Sequence, residues 1–285
     1  MGETREQMVA DLREHGYAEH TRYSYVRNAE RFVEHFMMHP CTLDARDIQE
    51  YMLALEDRGL SAATRVVHLA SIKFLYRVTL GMPEVVENVP HPRVGISLPQ
   101  ILSYSEIMRV FEHITSLRCR VAAMTIYAAG LRVSEVCGLA CQDIDSERML
   151  IRVRMGKGNR DRFTMLSKNL LRALRAYWYL QRPSGGFLFP SETNPNNSMS
   201  PRTLRSALRR AGEAAGVEKP IGPHILRHCF ATHLLDLGAD IRQIQLLLGH
   251  GSVQSTARYT QMSTRRIAAT KSPFDASLEE VNTLG

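Results

Sequence analysis

Apolar residues near the start of the chain recur every three or four positions, which is the spacing of one helix face. Tyr25, Ala29, Phe32 and Phe36 follow this pattern, with polar residues between them. The spacing therefore predicts an amphipathic helix around these residues.

Two further helices are predicted from residues that cap helix ends. Asp44 precedes one apolar-periodic stretch and Ser61 precedes the next, and both side chains can accept hydrogen bonds from free backbone N–H groups. Gly59 follows the first of these stretches and is a typical helix end. Residues 1–90 are thus expected to form about four helices.

The segment 83–100 contains four prolines and a glycine, so we expect it to contain no helix. A domain boundary is predicted in this part of the chain. The predicted organisation is a helical N-terminal domain over 1–88, a linker over 89–100, a larger domain over 101–271 and a weakly patterned tail over 272–285.

The larger domain combines helices with one short β-hairpin. Apolar and polar residues alternate on both sides of the turn sequence GKGN, at residues 156–159, which is typical of two paired strands. Helical spacing precedes the hairpin and resumes after it. The predicted fold is mainly α with a small antiparallel β-sheet, so the larger domain belongs to the α+β class.

Positive charge is concentrated in the second part of the chain. Residues 1–99 hold 11 Lys and Arg against 14 Asp and Glu, whereas residues 100–285 hold 25 against 15, and the whole chain carries +7. This excess suits a polyphosphate partner.

Apolar runs fall well short of the roughly 20 residues of a membrane span, so a cytoplasmic, nucleoid-associated protein is expected.

The residue types best suited to catalysis lie between 222 and 259. His224, Arg227, His250 and Tyr259 occur there, and Arg132 lies upstream in the turn AGLRVSE. Arginine forks match phosphate oxygens, imidazole moves protons near neutral pH, and an activated tyrosine oxygen is a nucleophile. The set suits a tyrosine that attacks a phosphodiester held by two arginines.

Metal binding is the alternative reading of two of these patterns. His224 and His228 lie four residues apart, but Arg227 stands between them and a guanidinium repels a cation. Cys137 and Cys141 share the same spacing, and no second pair of ligands lies near them in the sequence. No metal and no cofactor are therefore expected.

Five sequence boxes in order resemble the tyrosine recombinase family, the Xer-like and phage-integrase enzymes. The boxes are AGLRVSEVCGL, MGKGNRDR, PHILRHCFATHLL, LGHGS and TARYTQ, spanning residues 128–261. Mild departures are Ala129, where the family often has threonine, and Val136, where leucine is common. The N-terminal helices are similar to the family's core-binding domain, with much less specific features.

The resemblance implies a role for each matched residue. Arg132 and Arg227 would hold the phosphate, Lys157 at the hairpin tip would protonate the leaving 5′ oxygen, and Tyr259 would be the nucleophile. His224 and His250 would occupy the two histidine positions.

Other residues are expected to support this reaction or to bind DNA. Glu135 matches the family's acidic position beside the first arginine. Basic residues at or near helix ends and in the hairpin are expected to contact DNA phosphates; these are Arg22, Arg27, Arg65, Lys73 and Arg160.

The predicted function is site-specific recombination or integration of DNA through a 3′-phosphotyrosine intermediate, without metal or ATP. By analogy with the family, four protomers would assemble on two double-stranded DNA sites. The enzyme would belong to a mobile genetic element. The alternatives are a type IB topoisomerase-like enzyme and a catalytically silent helix-turn-helix DNA-binding protein. A metal-dependent transposase or nuclease is disfavoured because the candidate aspartates, Asp143, Asp145, Asp236 and Asp240, suit turns and helix caps.

Overall fold

A computed structural model describes residues 2–93, 95, 100–154 and 161–249. The chain divides into two compact units, Met1–Ser97 and Leu98–Gly285. Several residues discussed above lie outside the described part of the chain: Lys157, Arg160, His250, Tyr259 and the tail 272–285.

The first unit is built from helices around one apolar core, as the spacing of its apolar residues predicted. Phe32, Tyr51 and Ile72, from three different helices, are among the buried side chains that fill this core. Its described helices are α1 (Gly2–Glu14), α2 (Glu19–Phe36), α3 (Ala45–Asp57), α4 (Ala62–Phe74), which continues as a π-helix over Leu75–Thr79, and α5 (Glu84–Glu87).

The predicted capping residues do begin their helices. Asp44 accepts hydrogen bonds from the backbone N–H groups of Arg46 and Asp47, and the Asp47 side chain accepts from the Asp44 backbone. Ser61 accepts from the backbone of Thr64 at the start of α4. These side chains satisfy N–H groups that a helix start otherwise leaves unpaired.

The prediction that residues 83–100 contain no helix is wrong at Glu84–Glu87. Pro83 precedes this single turn with φ −61°, a value that a helix accepts, and proline has no N–H to leave unpaired there. Val86 is fully buried against the core of the first unit. Burial of this side chain stabilises a turn that the proline content alone argued against.

The second unit combines helices with a small sheet, which confirms the predicted mainly α fold with a small antiparallel β-sheet. Its described elements are α6 (Tyr104–His113), α7 (Leu117–Ala129), α8 (Val133–Cys137), β1 (Ile144–Asp145), β2 (Leu150–Val153), β3 (Arg162–Met165), α9 (Lys168–Gln181), α10 (Pro201–Ala214), α11 (Pro223–Asp236) and α12 (Ile241–Leu248).

The sheet is antiparallel in the order β1–β2–β3. Strands β2 and β3 form the predicted hairpin, with Ile151 opposite Thr164 and Val153 opposite Arg162. The two-residue strand β1 was not predicted, because so short a segment shows no alternation of apolar and polar residues. Because β1 pairs with β2, it ties the hairpin to the segment that follows α8.

Helices α7 and α11 pack together at the centre of the second unit. Ala122, Ala123 and Ile126 of α7 and Leu226 and Cys229 of α11 are fully buried there. Because α7 ends just before Arg132 and α11 begins beside His224 and Arg227, this packing fixes where those three residues lie. Among the described helices, none is both long enough and apolar enough to cross a membrane.

Candidate active site

Arg132 stands at the start of α8, directly after the turn that ends α7. Gly130 ends α7 in the left-handed region, with φ +66°, and a Cβ there would lie 2.4 Å from the Phe230 ring. The Arg132 backbone and its Nη1 atom each donate to the Glu135 carboxylate at 2.7 Å. The Arg132 side chain keeps 29% of its surface exposed, so it can still reach a bound anion.

Arg227 and His224 project from the first turn of α11. Gly222 precedes this helix and Pro223 is its first residue. The Arg227 side chain is only 3% exposed. Its Nη1 atom donates to the Gly130 carbonyl, and its Nη2 atom donates to the Leu248 carbonyl at 2.7 Å.

His224 is exposed, and its ring centroid lies 4.3 Å from that of the buried His228. Among the described residues, no group of three His, Cys, Asp or Glu side chains could hold a metal ion. The structure thus brings His224 together with His228 without a third ligand among the residues it describes.

Arg132, Arg227 and His224 line one cleft of about 860 Å³. The start of α11 opens into this cleft at Gly222, where backbone N–H groups and the helix dipole favour an anion. Arg132 and Arg227, far apart in the sequence, therefore meet in one place. The arrangement suits a phosphate whose non-bridging oxygens gain charge during attack.

Glu135 connects the arginines of this site. Besides its bonds to Arg132, it accepts from Arg162 Nη1 at 2.7 Å and Nη2 at 2.8 Å, and it lies 3.7 Å from Arg227 Nη1. Burial raises the pKa of Glu135, but the hydrogen bonds and charges of Arg162 and Arg132 outweigh it and lower the pKa to about 2. The carboxylate is therefore ionised at any pH at which the enzyme would act.

The C-terminal end of α12 meets the same arginines. Helix ends leave carbonyl groups without partners and carry partial negative charge. Arg162 donates to the Leu247 carbonyl at 3.2 Å and Arg132 donates to the Gly249 carbonyl at 3.3 Å, while Arg227 bonds to Leu248 as described above. Three successive carbonyls thus each accept from a different arginine.

Sequence reasoning missed three basic residues of this region. Arg162 lies inside the box MGKGNRDR but was given no role, because only the folded chain brings it to Glu135. Arg205 and Arg209 of α10 line the cleft beside Arg132. Their spacing of four residues places them on one helix face, and that signal could have suggested a basic surface.

The basic residues expected to bind DNA in the first unit differ in their surroundings. Arg27 is exposed and Arg22 is half-buried, whereas Arg65 forms an ion pair with Glu56 at 2.7 Å. Lys73 donates to the Val89 carbonyl at 3.1 Å and contacts the His91 ring at 3.1 Å. Burial and the neighbouring Arg77 lower the pKa of Lys73.

Three of the four aspartates considered for metal-dependent chemistry occupy turns and caps. Asp240 caps α12, Asp145 accepts from the backbone of the turn that follows it, and the buried Asp143 accepts from the Ala140 backbone and from Arg154 Nε at 2.6 Å. Each of these three carboxylates accepts hydrogen bonds from the protein.

Comparison with known proteins identifies the family of the chain. The sequence profile of the phage integrase family matches residues 98–266, and the profile of the phage integrase N-terminal SAM-like domain matches residues 4–84. The chain belongs to the phage integrase family.

Individual relatives agree with this assignment. The integrase/recombinase y4qK of Sinorhizobium fredii is 38% identical over 273 residues, covering 95% of this chain and 88% of the relative. Tyrosine recombinase XerA of Pyrococcus horikoshii is 33% identical over 224 residues, covering 78% of each chain. A crystal structure of the XerH site-specific recombinase is similar in fold, with a TM-score of 0.71, 22% identity and coverage of 86% of this chain and 77% of the other.

The chain is therefore a phage integrase of the tyrosine-type site-specific recombinase class, with a SAM-like N-terminal domain and a catalytic domain. The predictions of family, fold class and enzyme class are confirmed. The topoisomerase-like and catalytically silent alternatives receive no support from these relatives.

Proposed function

We propose that this integrase cuts and rejoins DNA strands at a specific double-stranded site through a covalent link between Tyr259 and the 3′ phosphate. The meeting of Arg132, Arg227 and His224 in one cleft is the observation that carries the proposal. Two guanidiniums offset the charge that develops on the phosphate as the phenol oxygen attacks. Loss of one such donor costs on the order of 10²–10³ in rate.

Each proton in this reaction has a proposed donor or acceptor. His224 takes the proton of Tyr259, His250 donates to a phosphate oxygen, and Lys157 protonates the leaving 5′ oxygen. The P–O bond to that oxygen breaks as the bond to the tyrosine forms. A 5′ hydroxyl from another strand then attacks the phosphotyrosine and gives its proton to Lys157. The bond from phosphorus to the tyrosine oxygen breaks, and that oxygen takes its proton back from His224, which regenerates the enzyme.

Double-stranded DNA is the proposed partner. The related XerH structure is a post-cleavage complex with a palindromic difH substrate. In this chain, Arg205 and Arg209 extend the positive charge of the cleft beyond Arg132, as expected for contacts with neighbouring phosphates. We propose a tetramer on two sites, acting in the cytoplasm at the nucleoid, in a mobile genetic element.

Covalent trapping tests the proposed nucleophile. The chain is incubated with fragments of DNA that flank its gene, the protein-linked fragments are isolated under denaturing conditions, and the attached nucleotide is mapped. Tyr259→Phe should abolish the linked product and leave DNA affinity within about threefold, because one hydroxyl is removed and no phosphate contact is lost.

Tyr179→Phe is the matched control, since Tyr179 is exposed on α9 and outside the cleft. A linked product that survives in Tyr259→Phe would disprove the nucleophile. Strand exchange between two differently labelled duplexes then separates recombination from relaxation of the same duplex.

A further inference from the structure

Arg162, at the start of the second hairpin strand, is closely bound to the candidate site. It donates to both oxygens of Glu135 and to the Leu247 carbonyl, and its side chain is only 12% exposed. Its partners lie on α8 and at the end of α12, whereas Arg162 itself lies on β3. One guanidinium thus joins three separate elements.

The chemistry of this contact requires arginine. A planar guanidinium can pair with both oxygens of a carboxylate and still direct another N–H group at a carbonyl, whereas an ammonium acts as a point charge. The backbone leaves room for this group at Gly249, where a Cβ would lie 2.6 Å from Arg162 Cδ and 2.8 Å from Nε. Side chain and glycine therefore fit each other.

The position of this contact in the chain gives it a functional meaning. Arg162 follows Lys157 by five residues in the hairpin sequence, and His250 directly follows Gly249. Arg162 also holds Glu135, which in turn holds the Arg132 guanidinium. The segments that lead to the general acid, to the second histidine and to one phosphate-binding arginine share this one residue.

We infer that Arg162 is a positioning residue for strand cleavage, which holds Glu135 and the end of α12 so that Arg132 and the C-terminal end of α12 keep a fixed geometry. It acts through Glu135 and the Leu247 carbonyl and does not contact the reacting phosphate. This inference rests on the proposed function for its catalytic consequence, but the contacts themselves can be tested without DNA.

Hydrogen–deuterium exchange of the DNA-free chain tests the contacts. In Arg162→Met, which keeps the apolar stem of the side chain, amides in the peptide 240–249 should exchange at least about threefold faster than in the wild type. Arg120→Met is the matched control, because Arg120 donates twice to the Ile114 carbonyl at the end of α6 and lies outside the cleft. Equal exchange in both variants would overturn the inference.

Cleavage of a nicked duplex that carries the mapped site tests the positioning role. Misplacement by about 1 Å costs on the order of 10²-fold in rate, so Arg162→Met should slow covalent linkage about 10²-fold while DNA affinity changes less than about threefold. Arg162→Lys should recover part of the rate, and it also serves if the methionine variant folds poorly. A rate within threefold of the wild type for both variants would refute the role.

The pH dependence gives a signature that a purely structural role would not produce. Within the part of the chain that the structure describes, the charged groups that face Glu135 are Arg132, Arg162 and Arg227. Without Arg162, the pKa of Glu135 should rise from about 2, because burial is then opposed mainly by Arg132, so the rate deficit of Arg162→Met should grow as pH falls towards the raised pKa. Adding Glu135→Gln should remove this growth, and a deficit independent of pH would contradict the inference.

The outcomes separate this inference from the proposed function. A wild-type chain that never links to DNA would overturn the proposed function and the positioning role with it, while the exchange experiment still decides whether Arg162 holds α12. A wild-type chain that cleaves DNA, with Arg162→Met equally active, would leave the proposed function intact and overturn the inference alone.

Discussion

At the scale of single residues, Glu135 explains how three arginines can lie close together. Guanidinium groups that share one carboxylate repel one another, and partial burial strengthens this repulsion. The carboxylate of Glu135, with 7% of its side chain exposed, bonds directly to Arg132 and Arg162 and lies near Arg227. The cluster therefore carries one compensating negative charge at its centre, and part of its positive charge stays available to an anion.

Glu135 should make the folded state sensitive to acid. Its pKa is about 2 in the folded chain against an ordinary value of 4.5, so its contribution to stability is fully present above pH 4.5 and is lost as pH falls through 2. The shift corresponds to about 3 kcal/mol. The difference in unfolding free energy between wild type and Glu135→Gln should shrink over this range, as measured by urea unfolding.

Glu213→Gln serves as the control for this measurement. Glu213 pairs with Arg209 on the exposed face of α10, and exposed pairs contribute little. Its difference from the wild type should stay near zero throughout. A Glu135→Gln deficit that is constant from pH 6 to pH 2 would contradict the assigned pKa.

At the scale of elements, two helices end beside the cleft in the same way. Helices α7 and α12 finish at Gly130 and Gly249, with φ +66° and +62°, and both ends offer carbonyls to arginines. Glycine adopts this conformation without the cost that other residues meet. The two glycines therefore determine where Arg132 and Arg227 find their backbone partners.

Gly249→Ala should destabilise the chain more than Gly216→Ala. Gly216 has nearly the same φ, +63°, and a Cβ there would meet open space, so its substitution costs only the backbone penalty of about 1–2 kcal/mol. Alanine at 249 must in addition displace Arg162. Urea unfolding measures the free energy of unfolding of both variants. Equal losses would show that the contact between the added Cβ at 249 and Arg162 costs no stability.

Helix positions were predictable because their signals are local. Asp44, Ser61 and Gly59 each mark a helix end through groups within a few residues of themselves. The one-turn helix α5 was missed because its stability comes from burial of Val86, a tertiary effect. Arg162 was missed for the same reason: its partners Glu135 and Leu247 lie far from it in the sequence.

Members of the candidate site could be selected where they lie in a sequence box that resembles the tyrosine recombinase family. Arg132, Arg227 and His224 were selected from the sequence, and the structure brings them to one cleft. Their catalytic roles, together with those of Lys157, His250 and Tyr259, stay predictions that the trapping experiment tests. Arg205 and Arg209 were passed over because exposed arginines on a helix are common on ordinary solvated surfaces.

At the scale of the whole molecule, charge is divided unequally along the chain. Residues 100–285 carry a net charge of +10, and residues 1–99 carry −3. Electrostatic attraction to DNA should therefore come mainly from the second part of the chain, where the cleft lies. Affinity should depend steeply on salt, since each neutralised phosphate releases counterions.

Arg205→Gln should weaken binding to every duplex by a similar factor and reduce the slope of log affinity against log salt by about 1. The cause is the loss of one phosphate contact beside Arg132. Arg172→Gln on α9, outside the cleft, is the control and should leave the slope unchanged. Fluorescence anisotropy across a salt series measures both, and identical slopes would contradict a phosphate contact at Arg205.

The burial of Arg227 against two backbone carbonyls has a consequence for control of the enzyme. Its guanidinium is fixed when the chain folds, so this part of the proposed anion site is preorganised. Because Arg227 already lies in place in the DNA-free chain, its position offers no step at which the reaction could be switched on or off. Timing of strand exchange should therefore be governed by delivery of the nucleophile and by synapsis of the DNA sites.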